Sequence, residues 1–135
     1  MIIDTGPVIA LIDADDRHHF RCRSLLSSLP TPLIMTVPCF AEAQYLLFRN
    51  LGFPGQQTLW KWRQEGMIQL HYANQVEEDL IEGLMTKYRD TPMDYADASV
   101  IAAAQVTKNT QILTLDQHFF AYRFSDGSAP QVIPN

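Results

Sequence analysis

The sequence predicts an α/β protein, a three-layer α/β/α sandwich around a four- to five-stranded, mainly parallel sheet. Three observations carry that reading. Short apolar runs alternate with stretches of helical period along the whole chain, punctuated by Gly and Pro. Two of the runs end in an aspartate, Asp4 and Asp116, and the carboxyl edge of an open α/β sheet is where ligands bind. A helix from Pro92 is alanine-rich and apolar nearly all round, as a buried helix is.

Composition is consistent with that class. With 135 residues, 47% hydrophobic and 19% charged, the chain reads as one domain, 1–135, able to bury a core. The formal net charge of −5 argues against a general polyanion binder. Carboxylates gathered to hold a cation also count toward that charge. No apolar run approaches the ~18 residues of a membrane span, and no basic leader precedes Asp4. Cys22 and Cys39 are isolated thiols, expected to be reduced in a cytoplasmic protein without membrane contact.

In order, residues 1–4 form a buried strand, Thr5-Gly6-Pro7 a turn, and the run from Val8 the start of a helix. Asp13, Asp15 and Asp16 read as a solvated loop. Residues 18–29 space Phe20, Leu25, Leu26 and Leu29 as a surface helix with Arg17, Arg21 and Arg23 on its flank, and His18 and His19 are expected in solvent. Residues 33–37 form the second strand, and Pro38 opens a helix to about Asn50. Glu42 is the only charge in a ten-residue apolar window there. A carboxylate in such a setting is expected to be paired, hydrogen-bonded or bound to metal. Gly52, Pro54 and Gly55 end that segment, and residues 56–65 form the next helix.

Residues 67–72 alternate and so read as a third strand nearer an edge. Residues 75–89 place Val76, Leu80, Ile81, Leu84, Met85 and Tyr88 on one stripe, with Glu77, Glu78, Asp79 and Glu82 on a wet face. Thr91 is the expected N-cap of the buried helix, with Pro92 in its first turn and Asp94 and Asp97 on one face. Residues 110–116 form the fourth strand, and 131–133 a short fifth.

Asp4 and Asp116 end strands, whereas Glu42, Asp94 and Asp97 lie near helix starts. In a parallel sheet these positions share one edge, so a carboxylate cluster explains all five together. Oxygen ligands without His or Cys suit Mg²⁺ or Mn²⁺. If the acids converge, Asp4→Asn and Asp97→Asn each relieve repulsion. Both are then expected to raise the metal-free melting temperature.

The stretches Ile3-Asp4-Thr5-Gly6-Pro7, Pro38-Cys39-Phe40-Ala41-Glu42, Met93-Asp94-Tyr95-Ala96-Asp97-Ala98 and Leu113-Thr114-Leu115-Asp116-Gln117-His118-Phe119 resemble, in order, those of a PIN domain. The resemblance is strongest to the VapC-like toxins of bacterial and archaeal toxin–antitoxin pairs, and it spans almost the whole chain. It implies that Asp4, Glu42, Asp97 and Asp116 hold Mg²⁺ or Mn²⁺, with Asp94 as an accessory catalytic acid and Thr5 and Thr114 as polar support. It also implies metal-dependent hydrolysis of RNA phosphodiesters, homodimerisation, and a small cognate antitoxin as partner. Phe53, Trp60 and Trp62 offer aromatic surface for docking, with core packing expected for at least one tryptophan. Arg17, Arg21, Arg49, Lys61 and Arg63 are candidate phosphate contacts. The four histidines are expected to be dispensable for chemistry, only His118 lying near an acid-bearing motif.

Rival readings fit less well. A receiver domain needs an aspartate after the third strand, where His71-Tyr72-Ala73-Asn74 stands. A haloacid-dehalogenase-type phosphatase needs a second aspartate at position 6, which is Gly6. A non-catalytic RNA- or protein-binding module on the same fold is separated from the enzyme by a cleavage assay with and without chelator.

Overall fold

The computed structural model describes residues 1–134. Among them, five strands form one sheet: β1 (Ile2–Ile3), β2 (Leu33–Thr36), β3 (Ile68–His71), β4 (Gln111–Leu113) and β5 (Gln131–Ile133). Their order is β3-β2-β1-β4-β5, and every pairing is parallel. The sheet is therefore wholly, not mainly, parallel, and β3 is an edge strand as its alternation predicts. Order reverses between β1 and β4, so the chain leaves these neighbours in opposite directions and opens a crevice at their carboxyl ends.

Helices α1 (Thr5–Ile12), α2 (His19–Arg23), α3 (Val37–Leu51), α4 (Phe53–Gln64), α5 (Gln75–Lys87) and α6 (Tyr95–Val106) flank the sheet. Ile2, Ile3, Ile112 and Leu113 are fully buried at its centre. Helix α6 buries Ala98, Val100, Ile101, Ala102 and Ala103, and its small side chains let it lie close against β1 and β2. No helix of the described residues is long and apolar enough to cross a membrane.

Several local expectations are corrected. Thr5-Gly6-Pro7 is the first turn of α1, because Asp4 caps that helix one residue earlier. The surface helix of 18–29 breaks into α2 and a 3₁₀ turn at Leu26–Ser28. Ser24 and Ser28 hydroxyls donate to the carbonyls of Arg21 and Leu25, in competition with helical backbone bonding. Phe20 is consequently 80% exposed, while His19 is buried with Nδ1 2.7 Å from the Ala10 carbonyl oxygen. Asp13 is also buried, accepting from the Asp15 N–H.

Pro54 opens α4 rather than closing α3, since a proline loses nothing in a first turn. Gly52 makes the break at φ +71, and a Cβ on Gly55 would crowd Leu51 Cβ at 3.0 Å and the Leu47 carbonyl at 3.2 Å, so the α3–α4 crossing is closest there. On α5, Val76 faces solvent and Glu77 is buried, because Glu77 pairs with His71 across the β3–α5 connection.

Candidate active site

Besides Asn74, which caps α5 after β3, four N-caps lie at the carboxyl edge of the sheet. Asp4 caps α1, Thr36 caps α3, Asp94 caps α6, and Asp116 caps the 3₁₀ turn Gln117–Phe120. Asp4, Thr36 and Asp116 follow strands and Asp94 follows the loop after α5, and each supplies an acceptor for orphan helix N–H groups. Capping and clustering are thus the same residues in two roles.

Asp4 is the most tightly held. It is buried, with Oδ1 accepting from the Thr5 N–H at 2.8 Å and Oδ2 from the Thr114 hydroxyl at 2.8 Å. The Cys39 thiol adds a longer contact to Oδ1 at 3.6 Å. Thr114 in turn accepts from the Asp116 N–H at 3.0 Å, tying the ends of β1 and β4 together. Burial pushes the Asp4 carboxyl up, opposed by these hydrogen bonds and reinforced by the charge of Glu42. This geometry revises one expectation. Two donors meet the two oxygens of Asp4, and an amide supplies one acceptor for both. Asp4→Asn therefore loses a buried hydrogen bond and is expected to lower the melting temperature.

Asp94 and Asp97 form a reciprocal capping box. The Asp97 N–H donates to Asp94 Oδ1 at 2.8 Å, and the Asp94 N–H donates to Asp97 Oδ2 at 3.1 Å. Helix α6 therefore starts at Tyr95 with Asp94, not Thr91, as its cap, and Pro92 lies ahead of it. The Asp97 carboxyl is pushed up to about 7, first by burial and then by the charges of Asp94, Asp4 and Asp116. The mutual effects link Asp4, Asp97 and Asp116 in one field, with Glu42 joined to it through Asp4.

Glu42 stands differently from the expectation. It is exposed on α3, while Phe40, Ala43 and Leu47 turn inward, so an apolar window did not mean an apolar surrounding. Asp116 is half-buried, and its Oδ1 takes both the N–H and Nδ1 of His118, at 2.9 and 2.8 Å. Asp97 and Asp116 thus spend oxygens on their own turns. Among the described residues no three His, Cys, Asp or Glu side chains are already grouped to hold an ion. The donor chemistry nevertheless fits a hard divalent cation: carboxylates press one another's pKa upward, Thr114 adds a hydroxyl, and burial and Asp4 keep Cys39 a protonated thiol.

Two further residues belong to this edge: Tyr122, which carries no local sequence signal, and Cys39, which the sequence marks only as a reduced thiol within the Pro38–Glu42 stretch. Tyr122 is fully buried, and burial and then the fields of Asp97, Asp116, Asp94 and Asp4 push its hydroxyl up. That hydroxyl donates to the Pro92 carbonyl. Cys39 sits between Asp4 and the Ala96 carbonyl of α6. Among the basic candidates, Arg63 lines a cavity that runs along β3 from Pro32 and Gly66 to Tyr72. Arg49 is in the last turn of α3, away from Glu42.

A match to the PIN domain family covers residues 1–125, and the chain belongs to that family. Ribonuclease VapC26 of Mycobacterium tuberculosis is 30% identical over 135 residues, 99% of this chain and 100% of that protein. Among solved structures, Mycobacterium tuberculosis VapC20, a sarcin–ricin loop cleaving toxin, superposes with a TM-score of 0.76 at 17% identity. The match covers 82% of this chain and 85% of that one. A toxin–antitoxin complex from Klebsiella pneumoniae gives 0.71 at 16% identity, covering 98% and 94%. At those identities the structures speak for the fold alone.

Proposed function

We propose that this chain is the toxin of a toxin–antitoxin pair, an endoribonuclease that hydrolyses RNA phosphodiesters with Mg²⁺ or Mn²⁺. The carrying observation is the carboxyl edge of the sheet, where Asp4 is fixed between the Thr5 N–H and the Thr114 hydroxyl and the Asp94–Asp97 capping box lies within reach of its charge. Carboxylates brought that close repel one another, and a divalent cation would relieve the repulsion. The curated relative, a ribonuclease over essentially the full chain, supports the activity.

In this reading Asp4, Glu42, Asp97 and Asp116 hold the cation. Asp4 is the fixed point, because Thr5 and Thr114 set both its oxygens. When bound, a divalent ion supplies the charge that polarises a phosphate and lowers the pKa of water. Either Glu42, exposed on α3 and within the field of Asp4, or Asp94, exposed at the α6 cap, would orient the attacking water. Asp97 would join the other ligands through the carboxylate whose Oδ2 now accepts from the Asp94 N–H.

The same reading includes one domain over residues 1–135, a cytoplasmic setting, a homodimer, and a small antitoxin covering the acidic edge. A toxin–antitoxin complex among the neighbours supports the partner. The test is cleavage of single-stranded RNA with Mn²⁺ and with EDTA, by wild type, Asp4→Asn and Asp97→Asn. Metal-dependent cleavage lost in both variants is expected. RNA bound but uncut in Mn²⁺ would make the chain a binding module on a nuclease fold.

A further inference from the structure

Beside the acids, a cavity of about 340 Å³ opens at the carboxyl ends of β2 and β3, between α3, α5 and α6. Its walls are mostly apolar, with Pro38, Ala41 and Ile81 among them, but His71 and Glu77 place a polar pair there as well. Glu77 is buried and lies 2.8 Å from His71 Nε2. Among the described residues no hydrogen bond engages His71 Nδ1. Tyr72 and Tyr95 line the cavity with large exposed rings, and Tyr95 is steadied by its hydroxyl, which donates to Glu78 Oε1 at 2.7 Å. Tyr95 lies between Asp94 and Asp97 in the chain, and Ala41 is next to Glu42. The cavity and the acids therefore share the starts of α3 and α6.

We propose that this cavity is a nucleobase subsite, taking one unstacked base of the RNA strand whose phosphate is held at the acids; it rests on the ribonuclease reading above. The physical match is to a flat, uncharged ring with polar edges. Apolar walls and tyrosine rings receive its faces, and the polar pair of His71 and Glu77 in the wall meets an edge. Glu77, Glu78 and the acids next door keep a phosphate out, so the backbone stays at the acidic edge and only the base enters. An aliphatic side chain from a protein partner fits less well, because it leaves the polar pair facing hydrocarbon. Single-stranded RNA is read through splayed bases of this kind, so the subsite gives the enzyme a preference at one nucleotide beside the cut.

The test has two arms. In the first, the four ribonucleosides and N-acetyl-leucinamide are titrated into metal-free protein, followed by NMR of Ala41, Ile81 and Tyr95. The ligands are raised to about 10 mM, tenfold above a millimolar Kd. Saturable shifts with at least one nucleoside, lost in Ala41→Leu, are expected. No shifts, or stronger shifts with the leucine amide than with any nucleoside, overturn the proposal. In the second arm a single abasic nucleotide is walked along a cleaved RNA in Mn²⁺. At one position kcat/KM is expected to fall about tenfold, equivalent to about 1.4 kcal/mol. Tyr95→Ala should erase that position's sensitivity, and Tyr95→Phe should keep it. A flat walk on a cleaved RNA overturns the subsite and leaves the nuclease reading standing. Nucleoside shifts at the cavity without any RNA cleavage leave the subsite standing and overturn the nuclease reading.

Discussion

Asp97 and Thr114 do opposite work at the acidic edge, and each is open to a separate measurement. The Asp97 carboxyl rises from an ordinary 3.8 to about 7 on folding, so between those values the native state holds more protons than the unfolded chain. Stability of the metal-free protein should therefore fall as pH rises from about 4 to about 7, and Asp97→Asn should flatten that slope. An amide at 97 keeps an acceptor for the Asp94 N–H, so the cap survives the substitution. Urea titrations in EDTA across that range check the sign; a wild-type slope that rises with pH would refute the assignment. Saturating Mn²⁺ is expected to stabilise wild type by about 2.7 kcal/mol at a hundredfold excess over Kd, and the variant by less. Thr114→Val keeps the shape but strips Asp4 Oδ2 of its donor and the Asp116 N–H of its acceptor. Leaving such buried groups unpaired costs about 1–3 kcal/mol. We expect a loss of that size in chemical denaturation, together with a marked drop in kcat, since both acids lose their common tether.

Between elements, the aromatic group Tyr88, Phe119 and Tyr122 sets how the two acid-bearing turns face each other. Tyr122 packs edge-on against Tyr88 and Phe119, with ring centroids 5.1 Å apart in both cases. Its hydroxyl grips the Pro92 carbonyl, two residues before Asp94, while the Arg123 N–H donates to the Tyr88 hydroxyl at 2.8 Å. Tyr122→Phe preserves the stacking and removes only the grip on the loop ahead of α6. The expected result is a folded protein with a small stability loss, a kcat reduced about tenfold, or roughly 1.4 kcal/mol of barrier, and a weaker apparent affinity for Mn²⁺. Unchanged kcat and metal dependence would show that the loop is held without it. His118 matters at this scale too. It is expected to be dispensable for the chemical step, and its contact with Asp116 adds that His118→Ala should alter metal affinity before it alters folding.

At the scale of the whole molecule, α3 and α4 expose Tyr45, Phe48, Leu51, Phe53 and Trp60. Trp62 is the tryptophan that packs against the core. A face so rich in aromatic side chains is the natural place for a second copy or an antitoxin to bury surface. Sedimentation at micromolar concentration should give a dimer, and Phe48→Glu should shift it to monomer. A wild type that stays monomeric would remove the dimer and leave the cleavage predictions untouched. The sequence by itself determined the α/β class, four strands with room for a fifth, the buried helix after Pro92 and the five carboxylates worth naming. These follow from local period and from residue chemistry, which act over a few positions. Only the tertiary structure decided that the Thr114 hydroxyl answers Asp4 across 110 residues, that Glu42 is exposed, and that Glu77 is buried on His71. Strand order explains the division: β1 lies between β2 and β4, so residues distant in the chain meet at one edge, and no pattern within a single element records which neighbour it will meet.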